Sequence, residues 1–271
     1  KLMNEEFFKK INYNKLNYPY IIAEIGVNHG GDISKAKQLI ESASRGGANA
    51  AKFQTYKAEN LASINSPFYW DINKESSKTQ YELFKKYDSF NQKDYEELYS
   101  HCLKYNIDFL TTPFDIDSLE FLDPLLSFYK IASADINNIP LLKEIGKKSK
   151  PVLISTGASN LEEIKMAVDY LEKNGSSSIG ILHCVLNYPT LNKNANLNMI
   201  KSLKENFPNY LIGYSDHTLP DKNMSVLKLA YLYGAKIIEK HFTLDKNIPG
   251  NDHYHSMDEK DLRNFFNEIT L

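Results

Sequence analysis

Residues 210–241 read YLIGYSDHTLPDKNMSVLKLAYLYGAKIIEKH, and the fold is decided there. The opening run, 210–215, is continuously apolar as far as Ser215 rather than alternating. Such a run suits a strand buried on both faces, as in a parallel sheet. A helix-period segment follows over 223–233. Gly234 and Ala235 end it, the glycine supplying a left-handed position at no steric cost. A second apolar run, 236–241, starts at once. The stretch is one βα unit and the strand of the next.

The same phrase recurs along the chain. Apolar runs at 20–25, 50–54, 108–112, 128–132, 151–155 and 179–183 precede the two already quoted. Helix-period segments lie at 34–45, 92–105, 116–126, 139–148, 160–174 and 199–207, and a last one at 258–269 follows the eighth run. In 160–174, Leu161, Ile164, Val168 and Leu171 recur at helical spacing behind Asn160 as N-cap, with Glu163 three residues on. Gly46-Gly47-Ala48 repeats the punctuation of Gly234-Ala235. Eight units in strict alternation predict an α/β protein, a (β/α)8 TIM barrel occupying 1–271 as a single catalytic domain. A doubly wound open sheet loses support, because no G-x-G-x-x-G stands at a first βα turn.

Two segments fall outside the repeat. The opening, 1–19, is polar and is expected as an extension under the barrel. The stretch 56–91 is expected as a long loop after the second strand, on the C-terminal face, and carries Phe68, Tyr69, Trp70, Tyr81, Phe84, Tyr87 and Phe90. Loops of this length are functional or disordered, and the aromatics argue against disorder. An active-site role and a packing flap or subunit contact both stay open.

The 271 residues hold 32 Lys+Arg against 34 Asp+Glu, a net charge of −2. Without a basic excess, no nucleic-acid partner is expected. No stretch approaches about 18 uncharged apolar residues, so no membrane partner is expected either. Two cysteines, Cys102 and Cys184, are too few for a disulfide framework and fit a reducing compartment. No signal-peptide apolar region opens the chain.

In such a barrel, chemistry collects at the C-terminal ends of the strands. The eight runs end in Glu24, in Lys52 and Gln54, in Thr111 and Thr112, in Lys130 with Ser133 and Asp135, in Ser155, in His183, in Ser215 with Asp216 and His217, and in Glu239 with Lys240 and His241. Lys52, Lys130, Thr112, Ser133 and Ser155 combine cations with small hydroxyls, the composition of a phosphate cradle. Ordinary salt bridges are the alternative, weighed against the cost of burying a lysine without an anion. His217 and His241 end successive strands and are placed to share a divalent ion with open positions left. The alternative is a pair of hydrogen-bonded core histidines. His183 reads at least equally as a structural hydrogen bond beside Cys184. His253 and His255, in the segment after the eighth strand, could bind metal, but they are expected to be exposed, and exposed loop histidines usually bind none; Asp252 is better placed for a sugar hydroxyl.

These residues stand in motifs: Ala23-Glu24-Ile25-Gly26-Val27-Asn28-His29, Ala51-Lys52-Phe53-Gln54, Thr112-Pro113-Phe114, Tyr129-Lys130-Ile131-Ala132-Ser133, Leu153-Ile154-Ser155-Thr156-Gly157, Leu182-His183-Cys184, Tyr188-Pro189-Thr190, Gly213-Tyr214-Ser215-Asp216-His217-Thr218 and Ile238-Glu239-Lys240-His241-Phe242-Thr243-Leu244. With all nine in order, the chain resembles the sialic acid synthase family over 23–261. That family condenses phosphoenolpyruvate with an N-acetylated hexose. The resemblance implies that Lys52, Thr112, Lys130, Ser133 and Ser155 hold phosphoenolpyruvate. It implies that Gln54, Tyr188 and Asp252 face the sugar. His217 and His241 would hold Mn2+ or another divalent ion such as Mg2+ or Co2+. Glu24, Asp135 and Lys52 would serve catalysis. The implied product is a nonulosonic acid made in the cytoplasm, and the implied assembly is a homodimer.

Three departures qualify the resemblance. Asp135 stands where the family commonly has glutamate. Leu186 stands where some members place a polar contact. The chain ends at Leu271, so the family's small antifreeze-protein-like domain, which brings an arginine to the partner's sugar site, is expected to be missing. Two other readings stay open. One is an octulosonate-phosphate type of synthase with a phosphorylated acceptor. It would need a second phosphate cluster, and the only arginines, Arg45 and Arg263, fall in predicted helices. The other is a catalytically incomplete barrel.

Overall fold

A computed structural model describes residues 2–11, 13–15 and 17–270 of the chain. Its eight strands are β1 (Tyr20–Gly26), β2 (Ala50–Thr55), β3 (Asp108–Pro113), β4 (Tyr129–Ile131), β5 (Val152–Ser155), β6 (Ile179–Cys184), β7 (Leu211–Asp216) and β8 (Ile237–His241). They run parallel in the order β3-β2-β1-β8-β7-β6-β5-β4, with β3 and β4 side by side at the seam. The architecture is the expected (β/α)8 barrel. Every expected run agrees with its strand to within one residue at either end. The runs are continuously apolar because both faces are covered: β1, β6, β7 and β8 are buried at every position.

The helices are α1 (Leu2–Lys10), α2 (Ile33–Gly46), α3 (Ala58–Leu61), α4 (Gln80–Tyr87), α5 (Gln92–Lys104), α6 (Ile116–Leu122), α7 (Ile139–Lys147), α8 (Leu161–Lys173), α9 (Asn198–Asn206), α10 (Ser225–Leu232) and α11 (Glu259–Thr270). Asn160 and Glu163 form the expected capping box on α8. Gly47 and Gly234 take φ of 97° and 101°, the left-handed values their places require. One expected helix, 116–126, stops early at Leu122 and finishes as a 3₁₀ turn over Asp123–Leu125. Pro124 is the cause, since proline lacks the N–H that would continue the α-helical ladder.

The opening segment is less polar in its role than in its composition. Phe7, Phe8, Ile11 and Tyr13 are buried. Phe7 meets Phe128 edge-on at 5.8 Å and Tyr13 meets Tyr20 edge-on at 5.1 Å. Both partners stand where β4 and β1 begin, so this segment closes the lower mouth of the barrel. The stretch 56–91 is a folded excursion rather than a loose loop. It contains α3 and α4, buries Trp70, Leu83 and Phe90, and is pinned by a 3.1 Å ion pair between Glu75 and Lys86.

Candidate active site

Alternation along the strands points every second residue into the barrel. At the upper end these are charged. Glu24 and Lys52 are cross-strand partners on β1 and β2, and Lys52 Nζ lies 2.5 Å from Glu24 Oε2. Glu239 on β8 completes the cluster, with one carboxylate oxygen 3.6 Å from Lys52 Nζ and the other 3.7 Å from Lys130 Nζ. The two lysines are not on adjacent strands, since β3 lies between β2 and β4, and they meet through Glu239 across the interior. They are also not without anions, so the salt-bridge alternative holds for the ligand-free protein.

The hydroxyls gather around this cluster. Thr112 Oγ1 accepts from Lys52 Nζ at 3.0 Å, and Ser133 Oγ accepts from the Gly157 amide at 2.9 Å. Ser155 Oγ is buried with no hydrogen-bond partner. Gln54 Nε2 donates to Glu24 Oε1 at 3.0 Å. Burial pushes Glu24 up to about 7, with the Glu239 charge adding to the rise and Lys52 opposing it. Burial acts on Glu239 the same way, but Lys130 and Lys52 outweigh it and hold that carboxyl down at about 2. Burial also draws the Lys130 ammonium below its ordinary range. The group can therefore go from balanced to net cationic by protonating Glu24 alone.

The histidine pair stands beside it. The His217 and His241 ring centres are 5.6 Å apart. His217 Nδ1 lies 2.8 Å from the Val185 carbonyl, so Nδ1–H donates and Nε2 keeps its lone pair. His241 is buried, which lowers it to about 3 and keeps it neutral, and its Nδ1 has no hydrogen-bond partner. Each imidazole keeps a ring nitrogen without a hydrogen-bond partner, and such nitrogens suit a divalent ion. Among the described residues, no three His, Cys, Asp or Glu side chains form a ready ligand set. The donors fit a pair with the remaining positions open.

Two expectations are corrected here. His253 and His255 are not exposed. His253 is buried with Nδ1 2.8 Å from Thr243 Oγ1. His255 is fully buried, its ring centre is 5.0 Å from that of His241, and neither ring nitrogen has a hydrogen-bond partner. The bridge between Phe242 and Met257 folds this segment back over β8, which puts it under cover. The spacing of a loop carries no signal for such a return. His183 takes its structural role, with Nε2 2.7 Å from the Ala195 carbonyl.

A cavity of about 260 Å³ opens from His241. Gln54, Tyr188, His241 and Asp252 line its inner end, so the three expected sugar-facing residues share one space. The Tyr188 ring lies against His217 at 4.0 Å between centres. Burial would raise Asp252, but His241, His255 and His217 hold its carboxyl well below the usual range. The outer wall includes Tyr56, Phe84 and Tyr87 from the 56–91 excursion, with Leu244, Ile248 and one cation, Lys35. Asp135 stands apart. Its carboxylate accepts from Asn138 Nδ2 at 2.9 Å, and no hydrogen bond or ion pair among the described residues joins it to the lysine cluster. Sequence reading gave Glu239 no role, although its place two residues before His241 puts both on the inner face.

A parallel barrel with a lysine–carboxylate cluster beside two imidazoles defines a class: barrel enzymes acting on an anionic small molecule. Residues 39–271 match the NeuB family, and the chain belongs to that family. It is 41% identical over 255 residues to the N,N'-diacetyllegionaminic acid synthase of Campylobacter jejuni, covering 92% of this chain and 75% of that one. It is 37% identical over 252 residues to the N-acetylneuraminate-9-phosphate synthase of Drosophila melanogaster, covering 93% and 67%. The crystal structure of an N-acetylneuraminic acid synthetase from Leptospira borgpetersenii, in complex with citrate, superimposes with a TM-score of 0.83 at 38% identity, covering 94% of this chain and 84% of that one. No helix among the described residues is long and apolar enough to cross a membrane.

Proposed function

We propose that this chain condenses phosphoenolpyruvate with an N-acetylated hexose and water, giving a nonulosonic acid and phosphate. The hexose would be N-acetylmannosamine or a related diacetamido sugar. The observation that carries the reading is the Lys52–Glu24–Glu239–Lys130 cluster opening beside the cavity that holds Tyr188 and Asp252. Phosphoenolpyruvate would take the cluster end, with Lys130 and Lys52 neutralising its charge and Thr112, Ser133 and Ser155 directing its oxygens. The unpartnered Ser155 hydroxyl is free to donate there. Asp252, Gln54 and Tyr188 would orient the hexose so that its aldehyde carbon faces the enol carbon.

His217 and His241 would hold a divalent ion, Mn2+ or a similar one. When bound, it would supply Lewis-acid polarisation of the acceptor carbonyl. Glu24, poised at about 7, would hold or release the proton exchanged as water is captured and phosphate departs. Asp135 would act only through water or with substrate drawn toward it. The buried, unpaired Cys102 and Cys184 agree with a cytoplasmic setting, and the homodimer is carried over from the resemblance.

The outer wall of the cavity favours an acetamido sugar over a phosphorylated acceptor. Tyr56, Phe84, Leu244 and Ile248 offer apolar contact, and Lys35 is the one Lys or Arg among the residues lining the cavity. The test is phosphate release with Mn2+, phosphoenolpyruvate and each of N-acetylmannosamine, a diacetamido hexose and arabinose 5-phosphate. Release with either amino sugar is the expected result. Release only with arabinose 5-phosphate would favour the octulosonate-phosphate type. No release with any acceptor would favour the incomplete barrel.

A further inference from the structure

The β7–β8 ladder ends at the pair Asp216 and Lys240, one residue short of both histidines. Ladder hydrogen bonds therefore do not set the spacing between His217 and His241. On the outer face of these two strands, Lys240 Nζ donates to Asp216 Oδ2 at 2.6 Å and to the Thr218 carbonyl at 2.6 Å. Asp216 accepts in addition from Tyr214 Oη at 2.7 Å, from the Thr218 amide at 3.1 Å and from Thr218 Oγ1 at 3.0 Å. Lys240 thus grips the residues on both sides of His217 while standing next to His241. Both side chains of the pair are buried, at 0% and 1% exposure.

Stability is a poor reason for this arrangement. A buried ion pair often contributes no more than apolar side chains of the same volume. Met224, Val226 and Leu227 border the pair, so an apolar replacement would find company there. What the ion pair adds is direction: two hydrogen bonds from Lys240 tie the turn after β7 to the end of β8, and three more, from Tyr214 and Thr218 to Asp216, fix the turn itself. We propose that Asp216 and Lys240 are positioning residues that set the separation of His217 and His241 and thereby the divalent-ion affinity of the site. This rests on the reading of that pair as the metal site.

The test uses the full chain freed of metal. Mn2+ binding is followed by electron paramagnetic resonance of the free ion, and Co2+ binding by its visible bands. Phosphoenolpyruvate affinity without metal is the control. Asp216→Asn/Lys240→Met leaves no buried charge unpaired. It is expected to bind Mn2+ at least about tenfold more weakly and to shift the Co2+ bands, the scale seen when a ligand's supporting partner is lost. Phosphoenolpyruvate affinity is expected to stay within about twofold, a pattern that general loss of structure would not produce. Thr218→Val, a milder change, is expected to weaken Mn2+ in the same direction with the fold intact. Wild-type Mn2+ affinity and Co2+ bands in both variants would overturn the proposal. Wild-type Mn2+ affinity in His217→Ala would overturn the metal reading itself, and the proposal with it.

Discussion

Glu24 and Lys52 face each other across the first two strands with their charged ends 2.5 Å apart, inside a cluster of two lysines and two glutamates. The charges balance when every group is ionised, yet Glu24 sits at about 7 because it is buried. An anion entering the cluster favours the neutral form of Glu24. Binding of phosphoenolpyruvate at pH 7.5–8.5 is therefore expected to take up a proton. Its phosphate is already doubly ionised there, so affinity should fall up to about tenfold per pH unit above 7. Calorimetry in buffers of different ionisation enthalpy reads the proton directly. Glu24→Gln should abolish it, and an unchanged uptake in that variant would exclude Glu24 as the acceptor.

The same cluster makes a stability prediction. Lys52→Met leaves Glu24 and Glu239 facing each other with only Lys130 nearby. Removing one partner of a buried pair destabilises by about 3–5 kcal/mol. Glu24→Gln placed on top of Lys52→Met should recover most of that loss. Urea unfolding of the wild type and the two variants measures it, and equal loss in the single and double variants would show that charge is not the cause.

The barrel was legible because continuous apolar runs have one cause, burial on both faces, and that cause is local to each strand. The site was legible where residues sit on strands. Lys52, Lys130 and His241 lie on β2, β4 and β8, where strand position fixes which way they point, and His217 directly follows the last residue of β7. Pairing was not legible. That Glu239 bridges both lysines follows from barrel closure, which couples residues far apart in the chain. The loop histidines failed for the same reason. His255 is buried by a fold-back of the segment after β8, and no periodicity encodes such a return. The opening segment looked polar because its lysines and asparagines outnumber its aromatics, while the buried Phe7, Phe8, Ile11 and Tyr13 decide where it docks.

His29 ties acid stability to the turn after β1. It is buried against Phe90, ring on ring at 4.3 Å, and its Nδ1 accepts from the Gly31 amide at 3.0 Å. Burial lowers it to about 4, against about 6.5 in an unfolded chain. Between those values the unfolded state binds the extra proton. Stability contributed by neutral His29 is thus complete above pH 6.5 and is lost as pH falls toward 4, by up to about 3 kcal/mol. Denaturation midpoints of the wild type and of His29→Asn, measured from pH 7.5 to 4, should converge as the pH drops. Parallel curves would assign the acid loss to other groups.

Two strand glycines separate a backbone clash from a side-chain one. A methyl group added at Gly180 meets Leu153 Cδ2 at 2.4 Å, the far end of a side chain that can turn. Added at Gly213, it meets the Ile237 carbonyl oxygen at 2.4 Å as well as Leu182 Cδ2 at 2.5 Å. That carbonyl belongs to the first residue of β8 and has no rotamer to escape into. Relief requires β7 to draw away from β8, which carries His217 away from His241. Gly213→Ala should then destabilise by about 1–3 kcal/mol or more, and Gly180→Ala by less. Only Gly213→Ala should also weaken Mn2+ binding in the protein that remains folded. Urea midpoints in the order wild type, Gly180→Ala, Gly213→Ala, with metal affinity lost only in the last, are the expected result; the reverse order would show that the β7–β8 contact yields more readily than the core.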